Sequence, residues 1–348
     1  MKLYSQRFHG CRLDEFTWRG HQLVTMENEL LRVGILPTKG ADVIEFRYKP
    51  RDLDVLFHSS VPICPPGQQI PTTARIEGAF MDYYHGGWQE IFPNAGDATT
   101  YQGSALGEHG EVCLLPWDVK VIEDSPGRIE VQFTVETFRL PFRLQRNMSL
   151  SAGSSVVSLD ECVTNLGAVE VAYQWGHHPA FGAPFVGPGC VMDLPRCDAI
   201  VPEFAQDLTR RLPLGPINLD HINKVPSLEN RSEDVVIFRN FQEGWAAIRN
   251  PELSLAVGIQ WDAAAFPYVW CWQGFGGCFR APFFGRVYTL ALEPFNCPPE
   301  TLHSLAEKKA ARVLGPGEQA RARLELGIHE TNSAISSMSA GGRISFQP

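Results

Sequence analysis

The sequence predicts an all-β protein, a large antiparallel β-sandwich with one short helix near the C-terminus. Three observations support this prediction: apolar residues recur with period two, turn residues cluster between the alternating segments, and helical spacing occurs in one late segment. The chain has 348 residues, with 31 glycines and 26 prolines. Many short strands separated by turns, with no alternation of strands and helices, are typical of a sandwich.

The alternation is clearest between residues 128 and 138, where apolar side chains occupy one face: Ile129, Val131, Phe133 and Val135. Polar residues take the other face, as a half-buried strand requires. Residues 142–150 repeat the pattern with one charged interruption at Arg146, and residues 253–261 repeat it without interruption. These segments predict antiparallel strands.

Turn chemistry separates the strands, as in residues 64–67, 186–189 and 274–277, which are rich in proline and glycine. A helix is predicted after Pro298-Pro299 and before Gly315, from the spacing of Leu302, Leu305, Ala306 and Val313. No linker-like composition divides the chain, so residues 1–329 are predicted to form one domain. Residues 330–348 are rich in small polar residues and are predicted to be a flexible tail.

The net charge is −9, and no run of Lys or Arg occurs. Nucleic acids and anionic membranes need clustered positive charge, so a small neutral molecule is the expected partner. The first residues have no apolar core of a signal peptide, and the nine cysteines form no C-x-x-C pair. We therefore expect a cytoplasmic protein with reduced thiols. Monomer and homodimer are both left open.

Polar and aromatic residues concentrate in four segments: 81–97, 107–117, 173–181 and 288–294. A single histidine is more often a structural hydrogen-bonding group than a functional one. Glu293 is more informative because it follows an apolar strand, where burial of a carboxylate is costly unless it is paired or belongs to a site. The residues alone leave these two interpretations of Glu293 equally open.

The four segments resemble the aldose 1-epimerase (galactose mutarotase) family in order and spacing. His178-Pro179-Ala180-Phe181 resembles its His-Pro-x-Phe signature, and Gly86-Gly87 with Phe92-Pro93 resembles its early Gly-Gly stretch. His109-Gly110 and Glu293-Pro294 resemble two further motifs. The resemblance extends over residues 20–325 and implies a β-sandwich of galactose mutarotase type.

Enzymes of this family interconvert the α and β anomers of a sugar by opening and closing its ring. The reaction needs a base for the anomeric hydroxyl and an acid for the ring oxygen, but no metal or other cofactor. The resemblance implies that Glu293 is the base, that His178 is the acid with His177 as its competitor, and that His109 binds the sugar. Further candidates for contact with the carbohydrate are these: Trp88, Gln89, Trp175, His177, Asp220 and Trp272.

Two departures from the family pattern concern charge. Family members carry an arginine near the Phe-Pro stretch and another after His-Gly, whereas this chain has residues 94–97, Asn-Ala-Gly-Asp, and residues 111–113, Glu-Val-Cys. The cationic groups that would bind a sugar phosphate are therefore missing. The resemblance consequently does not extend to the identity of the sugar.

Three other functions compete with a mutarotase. The same fold could bind a carbohydrate without catalysis. A metal-dependent sugar isomerase could use nitrogen and oxygen ligands from a set of five residues, although their spacing matches no compact metal motif: His85, Glu90, His109, His177 and His178. A glycosidase would need a second carboxylate beside Glu293, from Glu90, Glu108 or Glu111.

Overall fold

The structure is a computed structural model that describes residues 7–66 and 78–346. The first strands are β1 (Arg12–Trp18), β2 (His21–Glu27), β3 (Leu31–Leu36), β4 (Asp42–Tyr48), β5 (Leu53–Asp54), β6 (Trp88–Ile91), β7 (Thr99–Tyr101), β8 (Ser104–Leu106) and β9 (Asp118–Asp124). The middle strands are β10 (Arg128–Glu136), β11 (Phe142–Ser151), β12 (Val156–Asn165), β13 (Val171–Tyr173), β14 (Gly176–Gly182), β15 (Val191–Asp193), β16 (Asp198–Val201), β17 (Gly215–Pro216) and β18 (Ser232–Arg239). The last strands are β19 (Trp245–Asn250), β20 (Leu255–Trp261), β21 (Tyr268–Phe275), β22 (Tyr288–Ala291), β23 (Glu293–Phe295), β24 (Arg312–Leu314), β25 (Gln319–Glu330), β26 (Ile335–Ser339) and β27 (Arg343–Phe346). The α-helices in this part of the chain are α1 (Gly78–Asp82) and α2 (Leu302–Glu307).

Most strands belong to two antiparallel sheets. The first sheet has 13 strands in the order β1-β2-β3-β4-β6-β14-β22-β21-β18-β16-β17, with β23 between β14 and β21 and with β5 beside β4. The second sheet has eight strands in the order β15-β19-β20-β25-β12-β11-β10-β9. The predicted all-β, antiparallel fold class is therefore confirmed.

The two sheets face each other across a shared apolar core. Val33 and Phe46 of the first sheet belong to the same buried cluster as Phe133 and Leu144 of the second. The burial of β10 alternates residue by residue, as its sequence predicts. Facing sheets with alternating inward residues define a β-sandwich.

The charged interruption in β11 is part of the core. Arg146 is fully buried, and its guanidinium reaches across to Glu90 of the other sheet (Nη1 to Oε2, 3.4 Å) and to the carbonyl of Ala41. Its side chain also lies over the rings of Trp117 and Phe133. The inward-facing pattern of β11 thus continues through Arg146.

Two sequence predictions about the C-terminal region need correction. Helix α2 ends at Glu307, because Val313 lies in β24 and pairs with Ala172 instead of extending the helix. Residues 330–348 were predicted to be a flexible tail, but β26 and β27 form a hairpin. The hairpin has buried apolar contacts of its own, since Ile335 and Met338 pack against Trp245.

Neither α-helix in residues 7–66 and 78–346 is long and apolar enough to cross a membrane. All nine cysteines are free thiols, as the sequence analysis expected.

Candidate active site

The sheet register brings the predicted acid and base together. On β14, Gly176 pairs with Phe295 and Ala180 pairs with Ala291, so His178, midway between them, lies opposite Glu293. Side chains paired across antiparallel strands point to the same face of a sheet. Two motifs more than a hundred residues apart therefore meet on one face of the first sheet.

The pair forms the centre of a row that crosses several strands. His178 pairs with Gln89 of β6 on one side, and Glu293 pairs with Trp270 of β21 on the other. This row lies on the face of the first sheet that points away from the second sheet. We call it the site face.

His178 and Glu293 are close, buried and electrically unusual. Their side chains approach to 3.4 Å (Nε2 to Oε1), and both residues are buried. Burial disfavours charge, so it lowers the pKa of His178 to about 4 and raises the pKa of Glu293 well above its usual range. Near neutral pH the imidazole is therefore neutral, and the carboxyl group of Glu293 keeps its proton to a higher pH than an ordinary glutamate does.

His109 lies beside this pair. Its ring centroid is 5.6 Å from that of His178 and 4.5 Å from that of Phe80, which meets it edge-on. Burial and the nearby His178 lower the pKa of His109 to about 3. The ring is consequently neutral, and its Nδ1 is buried without a hydrogen-bond partner. A neutral imidazole of this kind can accept or donate one hydrogen bond to a sugar oxygen.

Glycines in two of the motifs are required by the close approach of neighbouring backbone. Gly110 has φ +73°, and a Cβ there would lie well inside contact distance of the Phe92 carbonyl. Gly86 and Gly87 have φ values of +85° and +84°, and a Cβ at either would collide with the carbonyl of Phe57 or Val43. Only glycine adopts these conformations at no steric cost. The motif glycines thus hold His109 and β6 in place.

Aromatic side chains enclose the pair. The ring centroids of Tyr84, Phe80 and Trp272 lie 5.2, 6.1 and 6.2 Å from that of His178. Phe283 continues this wall against Tyr84 and Trp272. Aromatic faces pack well on the apolar face of a sugar ring. Trp272 is thus where the sequence analysis expected it, whereas Phe80, Tyr84 and Phe283 were not assigned there.

Three predicted sugar contacts lie instead on the core side of the first sheet. Trp88 donates its indole hydrogen to His177 Nδ1 (3.3 Å), and Trp175 donates to Glu90 Oε1 (2.6 Å). His177 Nε2 lies 2.9 Å from Glu161 Oε2 of the second sheet. Successive residues of a strand point to opposite faces, so His177 cannot share the face of His178. We therefore no longer assign Trp88, Trp175 or His177 to sugar binding.

The buried core cluster around His177 has three groups that could ligate a metal, since ligand atoms of Glu90, Glu161 and His177 lie within 4.8 Å of one another. Its hydrogen bonds do not suit a metal. A ligating histidine normally donates from its other nitrogen, but His177 Nδ1 faces the N–H of Trp88 and must accept. Arg146 already supplies positive charge beside Glu90.

Protons on the carboxyl groups of this core cluster also reduce its negative charge. Burial and the nearby Glu161 raise the pKa of Glu90 to about 8, and burial raises the pKa of Glu161 to about 7. The two carboxyl groups therefore retain a proton near neutrality. His85, His109 and His178 do not belong to this metal-like group among the described residues. The five ligands considered for a metal-dependent isomerase are thus not brought together.

Asp220 lies apart from the pair. It belongs to a short 3₁₀ turn, Leu219–His221, and lines a surface depression of about 540 Å³ beside β16 and β17 at one edge of the first sheet. A second depression, of about 410 Å³, lies over β11, β12 and β25. Neither depression is lined by His178 or Glu293, so the structure does not place Asp220 with them.

Gln89 lies in the row beside His178, with which it pairs. Its amide nitrogen donates to Asp42 Oδ2 (3.1 Å) and to the Gly86 carbonyl (2.7 Å). Asp42 in turn forms a buried ion pair with Lys39. Sequence reasoning missed this ion pair, although two charged residues at the border of β3 and β4, both apolar strands, were a usable signal.

Comparison with known proteins supports the fold. A model of a protein family described as a domain of unknown function, DUF4432, matches residues 18–328. No curated protein matches.

Solved structures with the same architecture have low sequence identity. A "putative aldose 1-epimerase" from Klebsiella pneumoniae subsp. pneumoniae MGH 78578 is 16% identical, with a TM-score of 0.76 over 94% of this chain and 85% of its own. A galactose mutarotase-like protein from Clostridium acetobutylicum is 15% identical, with a TM-score of 0.64 over 92% of this chain and 99% of its own. The chain thus has the galactose mutarotase-like fold that its motifs implied, and it belongs to the DUF4432 family.

Proposed function

We propose that the protein is a mutarotase, an isomerase that interconverts the α and β anomers of a sugar at His178 and Glu293. The observation that carries this proposal is the pair itself. An imidazole and a carboxyl group lie 3.4 Å apart in one row of the sheet, buried among aromatic rings.

The reaction transfers protons, and it breaks and re-forms one carbon–oxygen bond. Glu293, in its carboxylate form, takes the proton of the anomeric hydroxyl as the bond between the anomeric carbon and the ring oxygen breaks. His178, in its protonated form, gives its proton to the ring oxygen, and the anomeric carbon becomes a carbonyl. Rotation of this carbonyl and the reverse proton transfers close the ring to the other anomer.

The protonation states that burial favours for His178 and Glu293 in the empty site suit this chemistry. The pair needs one proton to act as acid and base at once. In the empty site burial favours this proton on Glu293, so the assigned roles require its transfer to His178 when the sugar binds. The short separation of the two groups allows this transfer. His109 lies close enough to His178 to bind a sugar oxygen at the same centre.

The substrate is proposed to be a neutral sugar. The described charged groups nearest the aromatic wall are already paired, because Arg280 binds Glu233, which also lies 3.4 Å from the indole nitrogen of Trp272. Burial in apolar surroundings makes an additional unpaired charge costly. A phosphate would also face the carboxyl group of Glu293.

An anomer exchange assay tests the proposal. Purified protein is mixed with D-glucose, D-galactose, D-mannose, L-fucose or L-rhamnose, and exchange is followed by NMR or polarimetry. We expect Glu293→Gln and His178→Asn each to lower the accelerated rate by about 10²–10⁴, the usual contribution of general acid–base catalysis. Both variants should keep the circular dichroism spectrum of the wild type.

The matched controls are Glu229→Gln and His221→Asn, which change exposed residues of the same types in 3₁₀ turns away from the pair. These variants should keep the wild-type rate. Near wild-type exchange in either site variant would remove that residue from the mechanism. Sugar binding without any acceleration in the wild type would instead identify a non-catalytic carbohydrate-binding protein.

A further inference from the structure

A polar wall borders the catalytic pair on the β4 side of the row. Its members are Lys39, Asp42, Tyr84, His85 and Gln89. Because Val43 pairs with Trp88, the register places Asp42 beside Gln89, which in turn pairs with His178. The wall therefore continues the row that contains the catalytic pair.

Part of this polar wall is held by its own contacts. Asp42 Oδ2 accepts from the Lys39 ammonium and from Gln89 Nε2. The amide of Gln89 also donates to the Gly86 carbonyl. His85 Nε2 lies 3.7 Å from Asp42 Oδ2, beyond hydrogen-bonding distance. These contacts orient Asp42 and Gln89 but leave one oxygen of each unused.

The remaining polar atoms have no partner in the chain. They are Asp42 Oδ1, Gln89 Oε1, both ring nitrogens of His85 and the Tyr84 hydroxyl. All four side chains are more than nine-tenths buried. Buried polar groups in proteins are almost always hydrogen-bonded, so several unsatisfied groups together indicate a place where a ligand supplies the partners.

Tyr84 joins the polar wall to the catalytic pair. Its ring centroid lies 5.2 Å from that of His178. Burial raises the pKa of the Tyr84 hydroxyl, and negative charge on Glu293 and then on Asp42 raises it further.

We propose that the polar wall binds the hydroxyl groups of a neutral sugar whose anomeric carbon lies at His178 and Glu293. This inference rests on the proposed function, and it adds which part of the site holds the sugar and in what orientation. The unused atoms of Asp42 and Gln89 accept hydrogen bonds, which matches hydroxyl donors. An anionic substituent would be repelled by the carboxylate of Asp42.

The opposite end of the row, beyond Glu293, cannot bind sugar hydroxyl groups. Trp270, beyond Glu293, stacks on Phe295 at 4.0 Å between centroids and donates its indole hydrogen to the Cys297 carbonyl. It therefore offers an apolar surface with no free donor. A sugar in the row is oriented by this difference, with its hydroxyl-rich edge toward Asp42.

His85→Leu is the sharpest variant, because neither ring nitrogen of His85 has a partner that the change would remove. His329→Leu is its matched control, since His329 also has a buried, unpartnered Nε2 but lies in β25 of the second sheet. Asp42→Asn is the second variant. It replaces a carboxylate of the wall by an amide of the same shape and reports on the same site if His85→Leu fails to fold.

Binding is measured in a Glu293→Gln background, where the sugar does not turn over, by NMR titration or tryptophan fluorescence. The probes are the five sugars of the exchange assay and then the single-deoxy analogues of the sugar that binds best. We expect His85→Leu to raise the Kd about fivefold to tenfold and His329→Leu to leave it unchanged. The deoxy analogue that lacks the hydroxyl group bound by His85 cannot lose that contact. Its Kd should therefore be the same for the His85→Leu variant and for the Glu293→Gln background.

An unchanged Kd in both His85→Leu and Asp42→Asn would overturn the inference. An equal loss for every deoxy analogue would also overturn it, because it would show a general structural effect. These outcomes are separate from the fate of the proposed function. If the wild type accelerates no anomer exchange but the deoxy pattern appears in binding, the mutarotase proposal fails and the polar wall is supported.

Discussion

Glu293 and His178 show how burial alone can prepare an acid–base pair. Desolvation is the largest cause of both pKa shifts, because burial favours the uncharged form of each group. The pKa of the imidazole lies below its ordinary value, and the pKa of the carboxyl group lies above its ordinary value. Both shifts favour the uncharged form of the pair.

These shifts predict a broad pH profile for the exchange reaction. Below about pH 4 His178 also takes a proton, and the pair then has no base. At high pH Glu293 loses its proton, and the pair then has no acid. We expect kcat/KM to be flat from about pH 5 through neutrality, as measured by NMR exchange spectroscopy. It should fall about tenfold per pH unit on the acid side, where His178 takes up a proton, and on the alkaline side, where Glu293 loses one.

Acid unfolding must be separated from this titration, because His109 and His177 are also buried neutral, with pKa values lowered to about 3 and about 4. Such groups take up protons more readily in the unfolded chain, so stability is lost as the pH falls below about 6.5. Circular dichroism and tryptophan fluorescence recorded at each acid pH show whether the chain is still folded where the rate falls. An acid limb centred near pH 6.5 would contradict the buried state of His178.

At the residue scale, the sequence identified the two groups with a recognisable motif and missed those defined by a distant contact. His178 and Glu293 were found because each lies in a motif. Asp42 was not, because its place beside Gln89 depends on the register between β4 and β6. His85 was considered only as a metal ligand. His177 was misplaced because it directly precedes the motif residue His178, whereas successive residues of a strand face opposite sides of the sheet.

At the element scale, the motif glycines determine how closely segments can approach. Gly110 and Gly103 both have positive φ, +73° and +82°. They differ in their surroundings, because a Cβ at Gly110 would collide with the Phe92 carbonyl, whereas a Cβ at Gly103 would meet nothing within 4 Å. The two positions therefore separate backbone strain from steric collision.

Gly110→Ala should destabilise the protein much more than Gly103→Ala. The strain of a left-handed conformation costs about 1–2 kcal/mol at either position. At Gly110 the collision adds to this cost, because the adjoining His109 and Phe92 backbones must move apart. We expect a difference of at least about 2 kcal/mol in the free energy of unfolding, measured by urea denaturation. Equal losses in the two variants would contradict the close approach described here.

The strands were easier to predict than the helix for a physical reason. Alternation in β10 reflects burial of one face of the strand, which the sequence records locally. Helix α2 has the expected start, with the Thr301 side chain accepting from the Ser304 amide, but it ends at Glu307. Its end is decided by the pairing of β24 with β13, a contact with residues about 140 positions earlier.

At the scale of the whole molecule, alternation divides the first sheet into two working surfaces. His177, Trp88 and Glu90 face the second sheet and connect the two layers, whereas His178 and Gln89 face the site. One short strand, β14, therefore contributes to the core of the sandwich and to the candidate site. Motif resemblance alone cannot separate these contributions, because the two histidines are adjacent in sequence.

The second sheet also has two faces with different contacts, because the C-terminal hairpin packs on its outer face. Ile335 and Met338 pack on Trp245, Ala247 and Ala256, whose strands β19 and β20 turn their neighbouring residues into the main core. The hairpin thus covers the outer face of the second sheet, and His178 and Glu293 lie on the far side of the first. Its sequence suggests flexibility because small polar residues predominate, although two apolar residues, Ile335 and Met338, hold it to the sheet.

Removal of residues 331–348 should therefore lower stability without changing the chemistry. The truncation exposes Trp245, which is 1% exposed in the intact chain, and loses the burial of Ile335 and Met338. Loss of two buried aliphatic side chains costs about 3–6 kcal/mol at roughly 1.5–3 kcal/mol each, so the Tm should fall by several degrees. The anomer exchange rate per folded molecule, measured well below the lower Tm, should match that of the full chain. A normal Tm would show that the hairpin contributes little to the fold, whereas a lost rate at full folding would show that it acts on the site across both sheets.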